Sequence, residues 1–457
     1  MAGNEAVLLS ENGLFKKIVR FSVPVVLSGL VQLLFNAADV AVVGQFCGRT
    51  SVSAVSSNGA LITLIVNLFL SLNVGVNVLV SNFYGAQDRD GVSKAAHTSM
   101  AVSVIAGICI GAFGYFFSGN FLALMNVPPD VLPKALTYVK IYFLGVPFLL
   151  IYNFGATIIT ASGDTVRPMK YIIISGAVNV VLNIVFVKVF SMDVAGVATA
   201  TVVSMVTSSV MTTVRLIKTD EWYKLDLKKI RIRSSDLMKI VRIGLPAGFQ
   251  STMFSISNVI IQSSINSFGD ACMSGSGSAS TLEGFVYVIM SALAQASLNF
   301  VSYAVGAHKH ELIGKITRKC MAIAVTASLV SGVMITLLSK PFLSIYLPGD
   351  TEAIAYGTLR LWCICAPYFI CAIPEVLVGS IRGMGVSLVP MIVSLVGICV
   401  FRIVWIETVF AAFHDNITVL FISYPITWTI TAAAHFVTYL VVKKRLAERY
   451  SILGRNR

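Results

Sequence analysis

Uncharged apolar runs recur from one end of the 457-residue chain to the other; residues 101–118, AVSVIAGICIGAFGYFFS, are one example. A run of that length crosses the ~30 Å hydrocarbon core of a bilayer as an α-helix rising about 1.5 Å per residue. The alternation of apolar and polar residues that a membrane β-barrel needs is absent. Only 12% of the residues are charged and 56% are hydrophobic, against roughly 25% charged in a soluble domain. A water-exposed surface is short of material, and the chain is expected to be an all-α polytopic membrane protein.

The formal charge of +13 fits the same frame. Lys and Arg fall in short loops between apolar runs, the positive-inside pattern that orients a membrane protein, so nucleic acid is not the expected partner. Spans are expected near 16–43, 52–83, 94–118, 131–160, 168–190 and 193–217, then near 237–268, 277–305, 316–339, 351–381, 386–412 and 417–442. That is about twelve transmembrane helices in two sets of six. In this layout roughly 27 Lys and Arg lie on the side of the termini and about six on the other, with Arg402 left inside a span, so both termini are expected in the cytoplasm. The N-terminal MAGNEAVLLSENG lacks the basic-then-apolar layout of a signal peptide, which leaves the first span as the insertion signal. Cys109, Cys363, Cys365, Cys371 and Cys399 lie in apolar segments without a CxxC or Cys/His cluster and read as inert buried thiols.

The two sets of spans repeat. RFSVP (20–24) matches RIGLP (242–246), VSNFYGAQ (80–87) matches VSYAVGAH (301–308), and GDTVRPM (163–169) matches GVSLVPM (385–391), all at offsets of 221 to 222 residues. This divides the chain into an N-lobe over 1–217, a linker over 218–236 and a C-lobe over 237–457. The linker, with TDEWYKLDLKKIRIRSSD at 219–236, has a basic, interfacial amphipathic character. An even number of spans per half gives both copies one membrane orientation. Two six-helix lobes are then related by a pseudo-two-fold axis along the membrane normal, the parallel-repeat plan of a rocking transporter. A channel or a membrane enzyme needs no such duplication.

Polar residues kept inside apolar spans are the site candidates. Asp39 lies about 22 residues beyond Lys17, ~33 Å along a helix, and so in the outer half of the membrane. Asn179 and Asn183 stand at i and i+4 on one face of the fifth span, and Thr201 lies about one and a half turns inside the outer end of the sixth. Together they offer the carboxylate, amide and hydroxyl oxygens that suit a Na⁺ ion, and the carboxyl alone can hold a proton. The alternative is that the amides and the hydroxyl only bond helices together. In the C-lobe, Glu375 occupies the position matching Asn153, about seven residues before Arg382, which is expected at the cytoplasmic end. It is a candidate for a second protonation site or a cation contact, with a snorkelling carboxylate as the alternative. Arg402, deeper in its span, is a candidate for an outer gate or for binding an anionic substrate, with a fixed cation satisfied by helix-end carbonyls as the alternative. Their estimated depths differ by ~10 Å or more, so they are not expected to pair. Pro24 and Pro246 recur at matched positions, and at Pro24 a helix bend can move Asp39 between dry and wet surroundings. No catalytic constellation or phosphate-binding loop occurs, so no enzyme, cofactor or ATP site is expected.

In order and spacing these features resemble the multidrug and toxic compound extrusion (MATE) family of bacterial transporters across nearly the whole chain. The carrying residues are the span-1 proline followed by Asp39 and Gly44, YGAQDRD after span 2, ASGDTVRPM after span 4, NVVLN in span 5 and AGVATATVVS in span 6. The resemblance implies a monomeric cell-membrane antiporter with a central cleft between two six-helix lobes. It would export amphipathic, often cationic compounds against H⁺ or Na⁺ by alternating access. It also implies that Asp39 matches the family's coupling aspartate, Asn179 and Asn183 its polar pair and Thr201 its hydroxyl; Asn153, Glu375 and Arg402 are cleft or gate candidates from their positions in the spans alone. Two departures stand out: Asn183 occupies a place where some members have aspartate, and Phe254 one where several branches have glutamate. The rival reading is a related flippase for lipid-linked glycans, which would use Arg402 on a phosphate.

Overall fold

The computed structural model describes residues 13–455 apart from Gly48, Asn126 and His414. The opening segment read above as lacking a signal peptide falls, through residue 12, outside the described residues. No strand occurs among them, as expected where lipid offers the backbone no hydrogen-bonding partner.

The helices are α1 Leu14–Phe46, α2 Arg49–Leu70, α3 Leu72–Gly85, α4 Arg89–Leu124, α5 Leu132–Ala161, α6 Val166–Ile184 and α7 Asp193–Lys218, then α8 Ser234–Asn266, α9 Asp270–Gly306, α10 His310–Leu337, α11 Ser339–Tyr346, α12 Thr351–Arg360, α13 Tyr368–Gly383, α14 Leu388–Ser394, α15 Phe401–Trp405 and α16 Ile417–Arg455. Four π-helical segments interrupt this series, at Val185–Val189, Leu361–Cys365, Leu395–Val400 and Ile406–Phe410. Among the described residues, ten helical stretches are long and apolar enough to cross a membrane. An eleventh is the pair Thr351–Cys365 and Tyr368–Gly383, bent by 46°. The remaining expected span, 237–268, lies in α8, whose Gln250, Ser251, Thr252 and Ser255 make it more polar than its neighbours. Carboxylates start several helices by accepting a free backbone N–H: Asp88 from Gly91 at 2.8 Å and Asp350 from Ala353 at 2.9 Å.

The chain forms two compact units, Val23–Gly248 and Met1–Ser22 with Phe249–Arg457. They divide inside α1 and α8, next to the matched prolines Pro24 and Pro246, whereas the sequence suggests a division at the linker. The internal repeat is visible in the backbone. Gln87 and His308, equivalent by the offset, both adopt φ 58°, and the equivalent Gly163 and Gly385 adopt 95° and 84°. In the N-terminal unit α5 packs on α4 and α7, and α7 on α6. In the C-terminal unit α9 packs on α10, α12 and α13, and α13 on α10 and α16. On α13, Gly379 and Gly383 let the helix lie on the Ala294 and Leu298 carbonyls of α9, where an added Cβ would come within 2.4 and 2.8 Å.

Two polar clasps hold the N-terminal unit. At the start of α5 and α7, Lys134 Nζ contacts Asp193 Oδ2 at 2.7 Å and donates to Ser51 Oγ at 2.8 Å, while Ser51 donates to Asp193 Oδ1 at 2.7 Å. The other clasp fixes the linker. His97 on α4 is buried; its Nδ1 lies 2.6 Å from the Ser93 carbonyl, and its Nε2 accepts the Asp226 backbone N–H at 3.0 Å. These partners assign the proton to Nδ1. Tyr223 and Leu225 are buried, and Trp222 stacks on Tyr84 with ring centroids 5.3 Å apart. On the exposed side, the Lys228 backbone N–H donated to Asp226, with the charge of Lys229, holds that carboxyl below its ordinary range. His97→Ala removes both ring contacts, about 1 kcal/mol each. Trypsin is expected to cut after Lys228 or Lys229 roughly tenfold faster in that variant, measured by limited proteolysis of the purified protein.

Candidate functional site

Asp39, on α1, is half-buried, and Asn179 and Asn183, on α6, are 4% and 0% exposed. Asn183 Nδ2 donates to Asp39 Oδ1 at 2.5 Å and is 3.2 Å from Asn179 Oδ1; Asn179 Nδ2 reaches Thr201 Oγ1 at 3.4 Å. Thr201 donates in turn to the Val197 carbonyl at 3.0 Å. The four residues singled out in the sequence therefore form one chain of hydrogen bonds across α1, α6 and α7, within the N-terminal unit. The i, i+4 spacing sets both amides on one face of α6, and Gly176 on that helix gives room to the Phe35 ring, one turn before Asp39.

Asn183 Oδ1 is buried without a hydrogen-bond partner. Such an atom is costly unless something not made of protein approaches it. Next to the Asp39 carboxylate, the spare oxygen suits a small hard cation or an ordered water. A residue the sequence did not flag, Tyr138 on α5, is buried in the same unit and stacks near Tyr142 with ring centroids 6.3 Å apart. A tyrosine in an apolar span is unremarkable in sequence, so no local signal marks it.

Asn153 is half-buried, and its Nδ2 donates to the Leu149 carbonyl of its own helix at 2.8 Å. Pro24 lies inside an unbroken α1, its carbonyl accepting from Ser28 Oγ at 2.8 Å.

In the C-terminal unit Glu375 lines a cavity of about 100 Å³ with Gln250, Tyr287, Arg382 and Ser394. Arg382, expected at the cytoplasmic end, instead turns into this cavity, where Nη2 donates to Gln250 Oε1 at 2.9 Å and Nε is buried without a partner. Arg402 is 4% exposed and has no ion pair with Glu375. A further pair escaped the sequence reading: Arg360 Nε and Nη2 donate to Glu283 Oε1 and Oε2 at 2.8 and 3.0 Å, with both side chains 7% exposed. The two partners lie 77 residues apart.

The family model described as MatE matches residues 24–185 and again 246–406, one copy in each half of the chain. The chain is 27% identical over 395 residues to the probable multidrug resistance protein YpnP of Bacillus subtilis, covering 86% of this chain and 88% of that protein. It is 22% identical to the multidrug export protein MepA of Staphylococcus aureus, over 71% and 72% of the two chains. A solved MATE structure in complex with MaL6 superposes with a TM-score of 0.91 at 21% identity, covering 98% of this chain and 99% of that one. At that identity the likeness shows the fold.

Proposed function

Because the chain belongs to the MatE family of membrane transporters, we propose that it exports amphipathic, often cationic compounds across the cell membrane in exchange for H⁺ or Na⁺. In this reading it acts as a monomer with both termini in the cytoplasm. The observation that carries it is the hydrogen-bonded chain from Asp39 through Asn183 and Asn179 to Thr201, with one spare buried oxygen, Asn183 Oδ1, beside the carboxylate. YpnP and MepA, which bear multidrug names, support the substrate class.

The site holds a single carboxylate, because Asn183 stands where a second one would add charge. One monovalent cation then neutralises it. A charged carboxylate in dry surroundings costs several kcal/mol, so the unloaded site favours a hydrated state and the loaded site tolerates a dry one. A bend of α1 near Pro24 is the candidate movement joining the two. H⁺ would sit on the Asp39 carboxyl; Na⁺ would be held by Asp39, the Asn179 and Asn183 amide oxygens and Thr201. Glu375 and Arg402 are assigned to substrate recognition in the C-lobe, and Asn153 to the N-lobe wall.

The test is ethidium efflux from proteoliposomes, with pH and Na⁺ gradients imposed separately. Uphill efflux is expected under one gradient and not under an equal membrane potential alone. Efflux indifferent to both gradients would overturn the antiport reading.

A further inference from the structure

Two arginines are buried to the same degree in the C-terminal unit, and only one of them has a counter-charge. Arg360 is 6% exposed and is held by both oxygens of Glu283. Arg402 is 4% exposed; its Nε donates to Thr427 Oγ1 at 3.3 Å, and its guanidinium lies 4.0 Å from the centroid of the Tyr424 ring. Its other electrostatic neighbours are Cys371, Cys399 and Tyr368, and no Asp or Glu among the described residues pairs with it. Of the carboxylates within the apolar helices of this unit, Glu283 is held by Arg360, Glu375 lies in the cavity it shares with Arg382, and Glu407, five residues along the span from Arg402, is exposed and makes no ion pair with it. A hydroxyl and a ring face offset only part of the cost of desolvating a guanidinium.

Two features of the surroundings point to a ligand. The turn that carries Arg402, Phe401–Trp405, is bracketed by π-helical segments at Leu395–Val400 and Ile406–Phe410, an irregularity common at functional sites. The Tyr368 and Tyr424 rings both meet Trp428 edge-on, at 5.1 and 5.8 Å, which sets an aromatic surface beside the unpaired cation.

We propose that Arg402, with Thr427 and Tyr424, forms a subsite that receives the anionic group of an amphipathic aromatic substrate. Exported compounds then include anions and zwitterions, the guanidinium binding the anionic group while the aromatic side chains meet the apolar ring. This deepens the export reading and rests on it for the transport step, but binding can be measured without a gradient.

A matched pair of dyes tests it. Rhodamine 123 is the methyl ester of rhodamine 110, so both share the xanthene cation and differ in one free carboxylate. Binding to purified protein is read by fluorescence anisotropy. Arg402→Met is expected to weaken rhodamine 110 at least tenfold, on the order of one lost charge-assisted contact, and to leave rhodamine 123 within about twofold. Arg402→Lys should retain part of the preference. The melting temperature of Arg402→Met should match or exceed that of the unmodified protein, because an unpaired buried charge has been removed. Equal weakening of both dyes, no weakening of either, or a loss of folding in both Arg402→Met and Arg402→Gln would overturn the proposal and leave Arg402 a structural cation. Failure of the proteoliposomes to export rhodamine 123 would instead count against the transport reading, while the dye preference is scored separately.

Discussion

Asp39→Asn is expected to abolish gradient-driven ethidium efflux while the protein still folds and still binds ethidium. The substitution keeps the shape of the side chain and an oxygen that can accept from Asn183 Nδ2, now 2.5 Å from Asp39 Oδ1, so the hydrogen-bonded chain to Thr201 has no reason to break. It removes the only carboxylate in that chain. The variant has no group there to take up H⁺ and no charge to hold Na⁺, so uphill transport should fall by more than about a hundredfold, to background. Melting temperature and ethidium binding of the purified variant serve as controls. Uphill efflux at an unreduced rate would sink the coupling role of Asp39. Moving the charge one step along the chain, in Asp39→Asn with Asn183→Asp, is expected to restore part of the coupled flux.

The second large effect concerns stability. Arg360→Met leaves the Glu283 carboxylate buried, 7% exposed, without the two hydrogen bonds it now accepts. Orphaning one member of a buried pair typically costs 3–5 kcal/mol, whereas replacing both by apolar groups is often close to neutral, roughly within a few kcal/mol. Thermal unfolding in detergent should therefore show Arg360→Met strongly destabilised and the double variant Glu283→Leu/Arg360→Met largely recovered. Additive losses in the double variant would mean that the pair is not coupled. The contrast with Arg402→Met, expected to keep its melting temperature, separates an arginine that holds the fold from one available to a ligand.

Much of the N-terminal site was legible before any tertiary structure. Asp39, Asn179, Asn183 and Thr201 are polar residues inside apolar spans, a helix period fixes which of them share a face, and counting residues from the nearest Lys places them at similar depth. Hydropathy likewise located the membrane-crossing segments. It did not locate the breaks in them, such as the division at Ser71 between α2 and α3 or the 46° bend between Thr351–Cys365 and Tyr368–Gly383, because helix and broken helix have the same mean apolarity. Arg382 reads as a cytoplasmic boundary by position along the chain, yet its long side chain turns back to Gln250 and the cavity with Glu375.

The sequence by itself determined that this is a helical membrane protein with a duplicated plan, and that a few polar groups are held where lipid makes them costly. Those are properties of composition, period and spacing, carried by each segment separately. Which groups meet was decided only by the tertiary structure. Asn183 leaves one oxygen free beside Asp39, Glu283 neutralises Arg360 across 77 residues of chain, and Arg402 has only a hydroxyl and a ring. Charge pairing depends on distances of a few ångströms between side chains far apart in sequence, and helix packing sets those distances.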